Sequence, residues 1–343
     1  MGIRIAITGT GFISRVHAQA VQNIPSIELV AVVNHRSESM ADFAQAYQIP
    51  RRYANVEELL NDGQIEALVV GTPNFLHAPQ AITALNAGVH VLVEKPMAMN
   101  TQEADHMLTA SQRSGALLMV AHCWRFDPEV NWLREQVANG KVGSVIRTKG
   151  YGVHTDWGPG NWFTKRKFAG GGAVVDMGIH ALDTARYLLG DPEPESVYAR
   201  IGTYYRDRRS SSVGPGQPEY NVDDTGIILV NWQGGAVSYI ESGWWQYHSD
   251  GPEAATQIYG TKGFGQLFPT HLKLGGGIRV DPGFSYPRQP HAPQSMYDAQ
   301  MRYFVDCIQN RQIPNPGGKE GLTNIRILEA AYESSRGGEI VRL

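Results

Sequence analysis

Cysteine is nearly missing from this chain of 343 residues: only Cys123 and Cys307 occur, far apart in sequence. Two such residues make neither a disulfide framework nor a metal-ligand spacing, so no metal is expected. Both suit a reducing cytoplasm. Runs of lysine or arginine are also absent. The net charge is -3, and the basic cluster Arg206-Asp207-Arg208-Arg209 is short and interrupted. Nothing here forms the footprint of a nucleic-acid partner. No apolar segment is long enough to span a bilayer, which argues against a membrane partner. The opening Met1-Gly2-Ile3-Arg4-Ile5-Ala6 runs into a strand pattern and does not read as a signal peptide. Ala6 also departs from the myristoylation pattern. Internal repeats and heptads are absent. A cytoplasmic protein is the expectation.

What is present is an alternation. Apolar runs at Ile3–Thr8, Ile27–Val33, Ala67–Val70, Val89–Val93 and Leu117–Ala121 are separated by helical patterns. Continuous apolar strands joined by crossover helices predict a parallel sheet covered on both faces. Ser37 and Thr101 read as N-caps, and Gly88 and Gly115 as helix stops. After about residue 121 the rhythm changes. Val145–Val153, Ser196–Tyr204, Gly226–Trp232 and Ala236–Trp244 are longer and alternate with polar residues, and Gln233-Gly234-Gly235 reads as a hairpin turn. These features predict an α/β protein. Residues 1–121 form a nucleotide-binding domain with a parallel sheet. Residues 122–343 form a substrate-binding and oligomerisation α+β domain with a large, mostly antiparallel sheet. The last helix is placed to pack back on the first domain. The Ser-, Gly-, Pro- and Arg-rich stretch 206–221 predicts a mobile loop.

Gly9-Thr10-Gly11-Phe12-Ile13-Ser14 follows the first strand and opens a helix, the context of a dinucleotide fingerprint. Gly9 permits the tight turn, Gly11 lets a pyrophosphate approach the backbone, and Ser14 departs from the third small residue. The second strand ends at Asn34-His35-Arg36, where NAD sites usually place an acid. With no acid to repel it, a 2′-phosphate could take a charged fork from Arg36. NADP is favoured, and Asn34 still admits NAD. Thr72-Pro73-Asn74, with His77, follows another strand at its carboxyl end and supplies further candidate cofactor contacts.

The chemistry points to three side chains. Lys95, in Glu94-Lys95-Pro96, stands at a strand end, where an ammonium can hydrogen-bond a substrate oxygen. Asp176 and His180, four apart on a helix predicted over 175–189, share a face, so the carboxylate can orient the imidazole. The preceding Gly170-Gly171-Gly172 suits close approach of a ligand to backbone. Arg125 could hold the cofactor or substrate, or form a salt bridge at the domain switch. The stretch around His154, Trp157 and Trp162 combines aromatic faces with polar groups, which suits a sugar or polyol ring.

Together the glycine turn, Thr72-Pro73-Asn74 with His77, Glu94-Lys95-Pro96, Arg125-Phe126 and Gly-Gly-Gly…Asp176…His180…Asp183 resemble the glucose–fructose oxidoreductase/inositol dehydrogenase/MocA family over essentially the whole chain. The resemblance implies a Rossmann domain followed by a domain whose open sheet mediates homodimers or homotetramers. It also implies NAD(P)-dependent oxidation or reduction of sugars and cyclitols. By that likeness His180 exchanges the substrate proton, Asp176 orients it, and Lys95 polarises the reacting oxygen. The family also admits NAD-assisted glycosidases, and a cofactor-binding regulator without catalysis is the third alternative.

Overall fold

The computed structural model describes residues 2–155, 157–205, 220–247, 254–284 and 293–343. Most of the predicted 206–221 loop, residues 206–219, lies outside these. The chain divides into two compact units, Met1–Cys123 with Ala292–Leu322, and Trp124–His291 with Thr323–Leu343.

The first unit opens β1 (Ile3–Thr8), α1 (Phe12–Gln22), β2 (Ile27–Val33), α2 (Ser37–Ala46), β3 (Arg51–Tyr53), α3 (Val56–Asn61), β4 (Ala67–Val70), α4 (His77–Asn86), β5 (His90–Glu94), α5 (Thr101–Ser114) and β6 (Leu118–Ala121). The six strands pair in parallel in the order β3-β2-β1-β4-β5-β6. That is the doubly wound order whose reversal, between β1 and β4, opens a ligand crevice at the strand carboxyl ends. The apolar strands are buried because helices cover both faces: every residue of β4 and β6 is buried. The caps differ by one residue from the sequence reading. Arg36, not Ser37, precedes α2. Asn100, not Thr101, caps α5: its side chain accepts from Glu103 N at 2.8 Å, while Glu103 accepts from Met99 N at 3.0 Å.

The second unit contains α6 (Pro128–Ala138), β7 (Val145–Val153), α7 (Arg166–Ala169), α8 (Ile179–Leu188), β8 (Pro194–Gly202), β9 (Thr225–Trp232), β10 (Val237–Gly243), β11 (Thr256–Gly260), β12 (Gly263–Gln266), β13 (His271–Leu274) and β14 (Ile278–Val280). Then come α9 (Gln294–Asn310), which belongs to the first unit, α10 (Gly318–Gly337), shared between the units, and β15 (Val341–Arg342). The second sheet has nine strands in the order β14-β13-β12-β11-β7-β10-β9-β8-β15. It is antiparallel except for the β7–β10 pair. Gly234 and Gly235, with φ of 95° and 88°, make the predicted β9–β10 hairpin. One face buries Ile228, Val230, Trp232 and Ile240 against α8 and residues 327–331 of α10. On the other face Ile227 and Leu229 are exposed.

Candidate active site

In the first unit, β1 ends at a turn whose two glycines answer different needs. Gly9 has φ +84°, and a Cβ there would stand 2.7 Å from the Gly71 carbonyl oxygen. Among the described residues, nothing beyond its chain neighbours lies within 4 Å of a Cβ built at Gly11. Packing therefore requires glycine at the first position and leaves the second bare, as close approach of a pyrophosphate demands. Gly11 is also the N-cap of α1, with no side-chain cap and no acid in the first turn, so the end of the helix dipole suits an anion. Phe12 and Ile13 begin the helix, and Phe12 is exposed. Ser14 is fully buried and donates to Gly71 O at 3.1 Å. The departure from a third glycine is accommodated because position 71 is itself glycine.

Beside this turn, Asn34 donates both amide hydrogens, to Thr10 Oγ1 at 2.7 Å and Ser39 Oγ at 2.9 Å. Its carbonyl is left as the acceptor. His35 and Arg36 are exposed next to it. At the end of β4, Thr72 donates to Gln80 Oε1 at 3.0 Å, and Gln80 also takes a bond from Thr8 at 2.8 Å. Pro73 and Asn74 lead into a short 3-10 turn, with Asn74 buried.

Two polar side chains near these turns are held by the protein's own groups. The His77 imidazole is buried between two carbonyls, with Nδ1 2.8 Å from Pro96 O and Nε2 2.8 Å from Thr72 O. It ties the two turns together. Burial pushes its pKa down, although both carbonyls favour the charged form. The Glu94 carboxylate also turns inward, accepting from His17 Nε2 at 2.8 Å and from Lys95 N at 3.1 Å. Lys95 itself is half-buried at the end of β5. Its turn is thus anchored through Glu94 to α1 and through Pro96 to α4.

In the second unit, Asp176 and His180 lie on the predicted helix, but its first turn, Val174–Gly178, is π and leads into α8. Such turns recur at functional sites. Asp176 is half-buried and accepts from Trp244 Nε1 at 3.1 Å. His180 is 7% exposed. The helix lies close on the sheet because the strands present glycines: a Cβ at Gly152 would stand 2.1 Å from Met177 O, and one at Gly226 2.4 Å from Val174.

The glycine run before the turn was expected to admit a ligand, and the structure corrects this. A Cβ at Gly172 would stand 1.8 Å from Asp223 O, and one at Gly171 2.1 Å from the Tyr332 hydroxyl. Protein atoms fill that space.

Arg125 forms the salt bridge that its position also allowed. Its guanidinium, 1% exposed, grips Asp183 through Nε at 2.8 Å and Nη2 at 2.7 Å, and Asp191 through Nη2 at 2.9 Å. Burial opposes the charge, but the two carboxylates outweigh it and raise the pKa above the ordinary arginine value. This is an ionic core of the second unit. Asp183 also accepts from Asn324 at 2.8 Å.

The aromatic stretch packs beside the π-turn. His154 meets Trp157 edge-on at 4.5 Å, and Trp162 stacks on Phe163 at 3.8 Å. Phe163 joins the cluster of Ala173, Met177, Val222, Trp244 and Trp245. Sequence reading missed Gly71, Gln80, Asp223, Trp244 and Tyr332. Of these, only the Trp244-Trp245 pair at the end of a predicted strand gave a signal.

Comparison with known proteins follows this division. Residues 3–122 match the model of the Gfo/Idh/MocA oxidoreductase family, NAD-binding Rossmann fold, and residues 130–264 match the Gfo/Idh/MocA C-terminal domain. The chain is 28% identical to D-glucoside 3-dehydrogenase of Escherichia coli, over 99% of this chain and 97% of that one. It is 30% identical to mouse trans-1,2-dihydrobenzene-1,2-diol dehydrogenase, over 80% and 79% respectively. A crystal structure of aldose–aldose oxidoreductase from Caulobacter crescentus, complexed with glycerol, superposes with a TM-score of 0.84 at 28% identity, covering 100% of both chains.

Proposed function

We propose that this chain, which belongs to the Gfo/Idh/MocA oxidoreductase family, transfers a hydride between a nicotinamide and a ring alcohol or carbonyl of a sugar, cyclitol or sugar derivative. The reading is carried by the Asp176 carboxylate, fixed by the Trp244 indole one helical turn before His180. A base oriented by a carboxylate is what alcohol oxidation needs, and the same group serves as the acid in reduction. His180 exchanges the substrate proton, Asp176 orients it, and Lys95 polarises the reacting oxygen. His154 and Trp162 supply ring contacts to the substrate. The names of the relatives, among them a glucoside dehydrogenase and a cyclic-diol dehydrogenase, support a ring alcohol.

The nicotinamide, when bound, donates or accepts the hydride. Gly9, Gly11, Phe12 and Ile13 would hold the pyrophosphate at the uncapped start of α1, with Thr72, Pro73 and Asn74 beside it. Arg36 favours a 2′-phosphate, hence NADP, while the Asn34 carbonyl can accept from a ribose hydroxyl and admits NAD. The first unit, which contains residues 1–121, is the cofactor domain and the second, drawn from within 122–343, the substrate domain, in a cytoplasmic homodimer or homotetramer built through the sheet face that bears Ile227 and Leu229. Among the described residues, no helix is long and apolar enough to cross a membrane.

Purified protein with NADP or NAD should oxidise at least one member of a sugar and cyclitol panel. Lys95→Ala and His180→Ala should each lose about 100-fold or more in kcat. Unchanged rates in both variants would reject the assignment. Arg36→Ala should weaken NADPH binding about tenfold and leave NADH within about twofold.

A further inference from the structure

We infer that Asp223, held by Tyr332, is a positioning residue that fixes the π-turn and through it the catalytic carboxylate of Asp176. The inference rests on the proposed roles of Asp176 and His180.

The start of a helix leaves N–H groups without helical partners. Here three in succession go to one residue. Gly172 N donates to Asp223 Oδ1 at 2.8 Å, Ala173 N to Asp223 O at 3.0 Å, and Val174 N to Asp223 Oδ2 at 2.9 Å. That grip is possible only because Gly172 has no side chain. The Tyr332 hydroxyl then donates to Oδ1 at 2.6 Å from α10. The carboxylate is buried and every contact reads its two oxygens as acceptors, so the helix start is held in one register. The other end of the Asp176–Trp244 bond is fixed from the same place. Trp244 N donates to the carbonyl oxygen of the neighbouring Asp224 at 2.8 Å. Asp223-Asp224 therefore places both the turn that carries Asp176 and the indole that holds it.

Asp223→Asn replaces one acceptor with a donor. Whichever way the amide lies, an NH2 faces an N–H group, and the turn must shift. A displacement on the order of 1 Å at a catalytic group costs about 100-fold in rate. Tyr332→Phe removes one of the two bonds to Oδ1 and should cost about threefold.

The test measures kcat, KM and NADH affinity of the full chain, together with the ¹H–¹⁵N indole resonance of Trp244, assigned with Trp244→Phe. In Asp223→Asn, kcat should fall about 100-fold, with KM within about threefold and NADH affinity unchanged. The indole resonance should move towards its place in Asp176→Asn. A resonance that stays put overturns the inference. So does a moved resonance with wild-type kcat, or a parallel loss of kcat, KM, NADH affinity and melting temperature. If Asp223→Asn does not fold, Tyr332→Phe decides by the same criteria. His180→Ala with wild-type turnover would sink the proposed chemistry, while the indole signal would still report whether Asp223 places Asp176.

Discussion

Glycine does opposite work at Gly11 in the first unit and under the Asp176 helix in the second. Gly11 leaves backbone bare, with nothing among the described residues beyond its chain neighbours where its Cβ would be. Gly152, Gly172 and Gly226 are glycines because other protein atoms already occupy the space. The nucleotide turn is shaped to receive something. The helix that carries Asp176 and His180 is pressed onto its sheet until backbone meets backbone. A flexible-looking glycine run can thus mark either an opening or a weld, and only the neighbouring atoms tell which.

The comparison can be broken most forcefully at Arg125. If it is an ionic core of the second unit, Arg125→Ala leaves the Asp183 and Asp191 carboxylates facing each other in a buried site and destabilises by about 3–5 kcal/mol. Urea melts should show that loss while the NADH affinity of whatever remains folded is unchanged. A weakened NADH affinity at full stability would return Arg125 to the cofactor. Next comes Gly152→Ala, whose Cβ would press on Met177 O at 2.1 Å. Such overpacking costs about 1–3 kcal/mol. Gly11→Ala should leave the melt where it is and weaken cofactor binding, since its methyl group meets nothing among the described residues beyond its chain neighbours. Equal destabilisation by the two substitutions would erase the contrast. A smaller loss, about 1 kcal/mol, is expected for Asn100→Ala, which removes the cap of α5 next to the Lys95 turn.

The first unit was legible because its signals are local. Strand, glycine turn and helix follow within a few residues, so periodicity and punctuation suffice. Where the reading slipped there, at Ser37 and Thr101, it slipped by one residue, and it passed over the short β3 and α3. The second unit is written over long separations. Asp223 reaches back 51 residues to Gly172, and the hydroxyl of Tyr332 closes the same network from 109 residues further on. No local pattern encodes that. Strands β11 to β14 went unread because they are short and mix glycine, glutamine and histidine. Helix α6 went unread despite a legible start: Asp127 accepts from Glu129 N at 2.8 Å and Val130 N at 3.1 Å, with proline at the first helical position. Lys95, Asp176 and His180 are proposed from their residue types and spacing. The partners of His77, Glu94 and Arg125 are not legible, because a polar side chain near a site looks the same in sequence whether it faces the cleft or the core.

The last contrast is smallest in size and is read by its sign. In the first unit, burial lowers the pKa of His77 and of His90 below the ordinary histidine value. Below about pH 6.5 the unfolded chain then binds more protons than the folded one. Their contribution is fully present above that pH and is lost as pH falls. In the second unit, burial raises Asp223 and Asp224 above the ordinary carboxyl value, against the N–H groups that pull them down. There the folded chain binds more protons above about pH 3.9, so stability falls as pH rises through the folded pKa values. Acidification from about pH 7 to 5 should therefore weaken the first unit without the same penalty in the second. His77→Gln should flatten the acid loss in urea melts, and Asp224→Asn should remove the stability that the second unit gains as pH falls towards about 3.9. If both variants moved the slope the same way, the opposite titration of the two units would be wrong.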